Sequence, residues 1–537
     1  GTVTESGSGE RLYGAAVTLE NQSAEIKYTL SDENGIFRLL VPEGHYKMKI
    51  SYMGYQPYER SLYIRRDSKV FPQMSPLLFE LEEVTVKSHK QGDELDALTP
   101  ASLLSFSGND LFSQIWILPG VTGTPSGDNF QVNGGSNDEN LLLLDGVPVY
   151  HPGHLNTLFP VFNGDAVKSM VLHKGYFPAR FEGRLSSITE IKLKEGNKQE
   201  HVQTVSLDMP AASVVLEGPI IKQKLSYLIG VRRSWLDLFD ELLSEENRMN
   251  HSSADYNAKL TYAITPSQTL EAFAYGAKDE YHVPTEEKER LSLLRWNNES
   301  YQLRYSGFKG RLGYAASVYY TSYSNRVHAA ALGYDEDRYI QSGINSTNVS
   351  TEFNYSSDAM YNARWGVKYS YDRYELTNDD NEASVRLEPI SQFSLFYDNH
   401  LRINDNLTVQ VGVNFIGYIP RKSRSYYSIQ PRFLLQYSPS KKDMLYLCFS
   451  KMEQFYHYLR FGSVALPTDF RMPSIDGYKP RSADHYEAGW KHYFDNGQLE
   501  LSAYYKTRRN IIALHPDAFY SDAGWKTFIM TGSGYII

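Results

Sequence analysis

Ala258-Lys259-Leu260-Thr261-Tyr262-Ala263-Ile264, then Thr265-Pro266-Ser267-Gln268, then Thr269-Leu270-Glu271-Ala272-Phe273-Ala274-Tyr275: two alternating runs joined by a short polar turn. Alternation with period two gives a strand one polar and one apolar face, and Pro266 beside Ser267 is turn chemistry, so the stretch reads as a β-hairpin. The pattern recurs at 391–403 and 407–415 around Asn404-Asp405-Asn406, and at 433–438 and 444–450 around Pro439-Ser440-Lys441-Lys442-Asp443. Longer polar stretches such as 335–350 and 372–386 separate the hairpins. Short turns at one end and long loops at the other fit a membrane barrel; a soluble sandwich does not need that asymmetry.

Composition is compatible with this. Mean hydropathy is −0.45, and no run of 18 or more apolar residues marks a membrane helix, but a barrel that alternates lipid-facing and lumen-facing residues keeps a low average. The chain has 42 tyrosines among 537 residues, which suits interfacial girdles where a ring is buried and its hydroxyl wet; taken alone, composition also fits a tyrosine-rich soluble β protein. A net charge of −9 argues against nucleic acid as a partner. The single cysteine, Cys448, excludes an intrachain disulfide framework and a cysteine-rich zinc site. Gly1 begins in mid-pattern without a signal peptide, as expected of a processed or partial chain.

Residues 1–80 read as a small β-sandwich: a strand at 15–19, a turn at Asp32-Glu33-Asn34-Gly35, a strand at 36–41, the Pro42-Glu43-Gly44 turn, and a strand with Tyr46, Met48 and Ile50 on one face. Gly14-Ala15, Asp32 to Phe37, Pro42 to Tyr46 and Ser51-Tyr52-Met53-Gly54-Tyr55 resemble the carboxypeptidase-regulatory-like domain, which implies a seven-stranded sandwich without catalytic residues. Residues 81–96 read as a polar linker, with too little apolar content for a core.

Residues 97–200 read as a mixed α/β segment. Ser107-Gly108-Asn109-Asp110 offers an N-cap, Leu111, Ile115 and Leu118 recur at helical spacing, and Pro119-Gly120 stops the helix. Strands are expected at 129–133, 140–145 and 171–175, with a second helical stretch at 163–170. Ile117-Leu118-Pro119-Gly120-Val121, Asn133-Gly134-Gly135, Leu143-Leu144-Asp145-Gly146-Val147-Pro148-Val149-Tyr150, Val171 to Gly175 and Ala179-Arg180-Phe181-Glu182-Gly183-Arg184 resemble, in the family's order, the plug of TonB-dependent receptors. Residues 466–473 and 478–489 resemble a segment of that family's barrel. The fold this implies is mainly β: a transmembrane antiparallel β-barrel of roughly 22 strands, filled by an α/β plug and preceded by the small β-sandwich. The 337 residues from 201 to 537 are too few for that many strands with long loops, so the barrel is expected to be incomplete or smaller.

The resemblance implies TonB-dependent active import of a nutrient across the outer membrane of a Gram-negative bacterium, with the N-terminal domain in the periplasm. TonB, with its inner-membrane energising complex, is the implied partner. Others are outer-membrane lipid, a surface-exposed lipoprotein, and a small-molecule, oligosaccharide or peptide ligand. Glu82, Glu83, Val84, Thr85 and Val86 are the TonB-box candidate, an alternating stretch suited to strand addition; the bland reading is the last strand of the sandwich. The glycines Gly134, Gly135 and Gly146 serve tight turns, Asp145 is expected to accept turn amides, and Arg180 and Arg184 to pair with barrel carboxylates. Asn133 stands where the family has arginine, so that lock is weaker or built differently. Tyr150, His151 and His154, beside a Pro-Gly turn, are ligand-binding candidates; no metal site or cofactor is read, since two histidines across a turn fall short of a ligand set. Tyr301, Tyr305, Tyr314, Tyr319, Tyr320 and Tyr323 belong to interfaces or ligand-stacking loops. No GxSxG, HExxH or phosphate loop suggests an enzyme. A siderophore or haem receptor of the same family, a structural or adhesive surface barrel and a passive porin are the alternatives.

Overall fold

The computed structural model describes residues 1–75, 93–96, 118–208, 211–239, 251–284, 291–328, 339–356, 361–378, 385–440, 442–460, 469–494, 497–514 and 529–537, apart from 7, 22–25, 33, 53–54, 66, 119, 125–127, 152, 155–158, 161 and 405. The expected helix near 107–118 and the TonB-box candidate Glu82, Glu83, Val84, Thr85 and Val86 lie almost wholly or wholly outside these residues.

In the N-terminal unit, Ala16–Asn21 pairs antiparallel with Ile26–Leu30 on one side and Gly44–Ser51 on the other, and Tyr58–Ile64 completes the four-stranded sheet. Tyr46, Met48 and Ile50 all point into a core with Val17, Leu19 and Phe37, as the alternation requires. Asp32 Oδ1 accepts the amides of Asn34 and Ile36 at 2.9 Å, closing the turn through Gly35 at φ 67°. The strand expected at 36–41 is absent: only Ile36 forms a bridge, to Thr2. Phe37 instead hydrogen-bonds the carbonyl of Gly1 and buries its ring; the segment is extended to fill the core without joining a ladder. Six strands are described here, against an implied seven.

The middle unit is a five-stranded sheet in the order Val147–Val149, Asn140–Leu144, Ser187–Leu193, Val167–Lys174, Asp93–Asp96. Asn140–Leu144 runs parallel to Ser187–Leu193 and the other pairs are antiparallel. Asp145 and Gly146, at φ 49° and 86°, make the two-residue turn between Leu144 and Val147, the geometry that Asp-Gly favours. Two expectations are corrected. Residues 163–170 form a single 3-10 turn, Gly164–Ala166, whose start Asn163 caps by accepting the Asp165 amide; Val167 is already extended and begins the strand. The end of the linker, Asp93–Asp96, is an edge strand of this sheet, because backbone pairing asks for no apolar content.

From residue 202 onward, 17 strands join in chain order into one antiparallel sheet that wraps the middle unit. His251–Thr265 displays the logic. Its odd positions Asp255, Asn257, Lys259 and Thr261 are buried, while Tyr256, Leu260 and Tyr262 are exposed. Polar residues inside and apolar residues outside invert the soluble pattern and mark a lipid-facing wall. Leu395 and Tyr397 against Ser394, and Tyr486 against His485 and Glu487, repeat it. The described residues hold 17 strands rather than roughly 22. Six consecutive strands are 15–19 residues long, whereas a bilayer needs about 9–11, so the excess length consumes chain. The polar stretches 335–350 and 372–386 are for the same reason largely strand, in Tyr339–Ser356 and Tyr361–Asn378; their serines Ser342 and Ser346 face the lumen, buried.

Candidate functional site at the plug apex

The middle unit acts as a plug because the wall grips it on all sides. Leu142, Leu144 and Leu172 pack on Val215, Leu228, Phe273 and Tyr275 of the wall, and Leu141, Leu143 and Phe181 on Met452 and Ala483. The polar contacts run mostly one way: the plug offers acceptors and the wall donors. Arg432, 2% exposed, donates to the carbonyls of Phe177 at 3.1 Å, Phe181 at 2.6 Å, and Pro178. Arg481 grips Asp138 and, at 2.6 Å, Glu139, which also takes Arg508 at 3.2 Å. Arg481 holds the Asp138 carboxyl below the usual range even though burial opposes it. Lys259 reaches Asp145 at 3.0 Å.

These contacts revise the roles expected of the plug motifs. Asp145 accepts an amide from Leu193 of the neighbouring strand and the Lys259 ammonium, instead of amides of its own turn. Arg180 pairs with the plug's own Glu190 at 2.8 Å, and Arg184 donates to the carbonyls of Asn140 and Gly183. Both stand on the turn-rich segment that folds back over Ser187–Leu193, so the plug's own acceptors are nearest. Gly135 has no room for a Cβ, which would meet the Ser186 hydroxyl at 2.0 Å. Asn133 sits at φ 45°, a conformation asparagine tolerates, and donates to Glu487 at 3.4 Å.

The apex is closed from the long-loop end. Tyr456–Arg460 and Asp469–Pro473 form a hairpin that folds into the lumen, where Leu459, Phe470 and Met472 pack on Leu376 and Ile512. Arg471 from this hairpin donates to the Tyr150 carbonyl at 2.9 Å and stacks over Tyr150 and Tyr323. Beneath it, between plug and wall, lies a cavity of about 210 Å³ that Tyr150 lines. His151 and His154 do not line it: His151 is buried edge-on against Trp296. Among the tyrosines singled out, Tyr319 lines the cavity and Tyr323 packs beside it, while Tyr301 and Tyr320 face outward.

A family model described as TonB dependent receptor-like, beta-barrel matches residues 275–533, and one described as CarboxypepD_reg-like domain matches residues 1–86. The chain belongs to the TonB-dependent receptors. The receptor is thus an outer-membrane protein of a transporter family, not an enzyme; no helix among its described residues is long and apolar enough to cross a membrane. No curated protein matches it. Solved structures similar to it include a ferric enterobactin receptor (PfeA) mutant from Pseudomonas aeruginosa at 15% identity, covering 79% of this chain and 72% of that one with a TM-score of 0.59. The siderophore receptor PirA from Acinetobacter baumannii shares 14%, with 82% and 74% coverage and a TM-score of 0.60. FauA, the alcaligin receptor of Bordetella pertussis, shares 12%, with 79% and 73% coverage and a TM-score of 0.52. At these identities the likeness is one of fold.

In the receptor, His154 is a structural joint. Its Nδ1 meets Asp279 at 2.7 Å and its Nε2 meets Asp255 at 3.2 Å; His251 also meets Asp279, at 3.1 Å, and Arg232 meets Asp255 at 2.7 Å. Burial disfavours the charged ring, but the two carboxylates outweigh it and raise the His154 pKa above the usual histidine value. A raised folded pKa stabilises fully below the unfolded value of about 6.5 and loses that contribution as pH rises through the folded value. Protease resistance of the plug in purified receptor is therefore expected to fall with pH above about 6.5, and His154→Gln to flatten that dependence. Equal slopes in both proteins would remove His154 from the lock.

Cys448, His485 and Glu487 bring three ligand-type atoms within 4.8 Å of one another. Glu487 already accepts from Tyr446 and meets His485, both at 2.9 Å.

Proposed function

We propose that the receptor imports a nutrient by TonB-dependent transport, with capture at the plug apex and the long-loop rim. The observation that supports this is the filled lumen: among the described residues the plug packs on the wall and is held by buried arginine–carboxylate pairs, so passage needs work done on the plug. The N-terminal domain rests on the short-turn end, where Arg38 donates to the Arg311 carbonyl at 3.0 Å and Arg402 stacks over Tyr28. Short turns face the periplasm in such barrels, so this domain is periplasmic. The nutrient enters from the opposite rim, where a surface lipoprotein would cover it. Tyr150 is the ligand-facing residue of the three sequence candidates, and His151 and His154 hold the plug. A siderophore cargo is the second reading, favoured by structural neighbours that are receptors for ferric enterobactin and alcaligin.

Two measurements test the import reading. Conductance in planar bilayers is expected to stay near baseline for intact receptor, and a large constitutive pore would favour a porin. Cells expressing it are expected to accumulate cargo from complex medium, by metabolite mass spectrometry against a deletion strain, only while the proton gradient stands. Accumulation that survives a protonophore overturns the energised mechanism.

A further inference from the structure

Four carboxylates and four cations line the cavity under the hairpin, but the carboxylates are unevenly paired. Of its lining carboxylates, Glu190 is paired with Arg180 at 2.8 Å and with His173 at 3.0 Å, and Glu352 with Arg364 at 3.3 Å. Among the described residues, Asp372 and Glu182, both half-buried, have neutral partners only. Asp372 accepts from the hydroxyls of Ser346 and, at 3.1 Å, Ser370; Glu182 accepts from the Asn414 amide at 3.5 Å. Of the lining cations, Arg180 pairs with Glu190, and Arg184 and Lys368 donate to backbone carbonyls. Carboxylates removed from bulk water are normally paired with a cation, and here two share one cavity without one.

A second feature points to a ligand. Tyr456 lines the cavity at 7% exposure, and its Oη has no hydrogen-bond partner among the described residues, an expensive state for a buried hydroxyl. Tyr150, Tyr319 and Tyr374 line the same space. Arg184 already lies over the Tyr456 ring and Arg471 over Tyr150, so it is the two carboxylates and the Tyr456 hydroxyl that a positively charged donor would satisfy. At about 210 Å³ the space is below the roughly 300–1,000 Å³ of drug-sized sites, so it takes one end of a ligand or a small ligand whole.

We propose that this cavity binds the primary ammonium group of an organic ligand, with Asp372 as counter-ion, Glu182 as the second charge and Tyr456 as acceptor and wall. The proposal rests on the import reading only in making the bound molecule cargo. The N-terminus of a short peptide and an amino sugar both carry this group.

Calorimetric titration of the full chain in detergent with alanyl-alanine, N-acetyl-alanyl-alanine and glucosamine tests it. The free amines are expected to bind, with the acetylated peptide weaker by about tenfold or more. Asp372→Asn is expected to lose a similar factor, and Tyr456→Phe, which keeps the ring, to lose less. Dipeptide binding over glucosamine assigns a peptide, and the reverse an amino sugar. Equal affinity for free and acetylated peptide, no binding of any amine at millimolar concentration, or unchanged affinity in both variants overturns the proposal. So does sodium or calcium alone displacing the amines at matched ionic strength, which would make this a metal-cation site. The titration needs neither TonB nor a proton gradient, so its failure leaves the import reading standing, whereas amine binding without energised uptake would sink the import reading alone.

Discussion

Glu139→Ala is expected to loosen the plug by about 3 kcal/mol, the low end of what removing one partner of a buried ion pair costs. Glu139 is fully buried, and its Oε1 takes both Arg481 and Arg508. Truncation leaves two arginines facing a plug that no longer neutralises them. Asp138 stays bonded to Arg481 and Arg508 is partly wet at 22% exposure, which is why the lower figure applies. The Glu139 carbonyl, which accepts the amides of Leu185 and Ser186, survives the substitution, so the loss is the side chain's. The readout is the urea concentration at which the plugged barrel begins to conduct in planar bilayers. With a urea dependence of about 1–3 kcal/mol per molar, the midpoint should fall by at least ~1 M. Arg481→Met added to Glu139→Ala should recover part of the loss, since coupled residues are not additive. A midpoint within error of wild type would mean that apolar packing alone holds the plug.

What could be read from the chain and what could not divide along sequence separation. The hairpin around Thr265-Pro266-Ser267-Gln268 and the Asp145-Gly146 turn are local: alternation and turn chemistry lie within a dozen residues, and the register Thr265 with Gln268 follows. The Phe37 segment misled because a core-facing extended run has strand periodicity whether or not a partner strand lies beside it. The lock could not be read because its halves are distant: Glu139 and Arg481 are 342 residues apart, and Arg432 meets Phe177 across 255. Arg180 and Arg184 sit inside a recognisable motif, while the arginines that grip the plug stand in ordinary strands as one inward residue in two. Arginine on an inward-facing strand position was the available signal, since such a charge must find a partner in the lumen. Asp372 is hidden for the same reason: the stretch 372–386 has the polar composition of a loop, yet Asp372 lies on the strand Tyr361–Asn378 and lines the cavity.

Deleting residues 82–86 is expected to reduce energised uptake to the level left by a protonophore while ligand binding at the apex is unchanged. The segment alternates and precedes the plug, as strand addition to TonB requires. Seven residues after Val86 the chain enters the plug sheet at Asp93–Asp96, an edge strand held by pairing with Val167–Lys174 over four residues. Tension at 82–86 would reach that edge first. The competing account is that 82–86 belongs to the N-terminal domain, whose family match runs to residue 86. Two controls separate them. Val84→Pro removes one amide and blocks ladder formation with the chain length intact; it should abolish uptake as the deletion does. Protease protection of the N-terminal domain in the full receptor should be normal in both variants if the segment serves TonB, and lost in both if it completes the sandwich. Uptake that persists with residues 82–86 removed and the domain still protected would mean that TonB engages elsewhere.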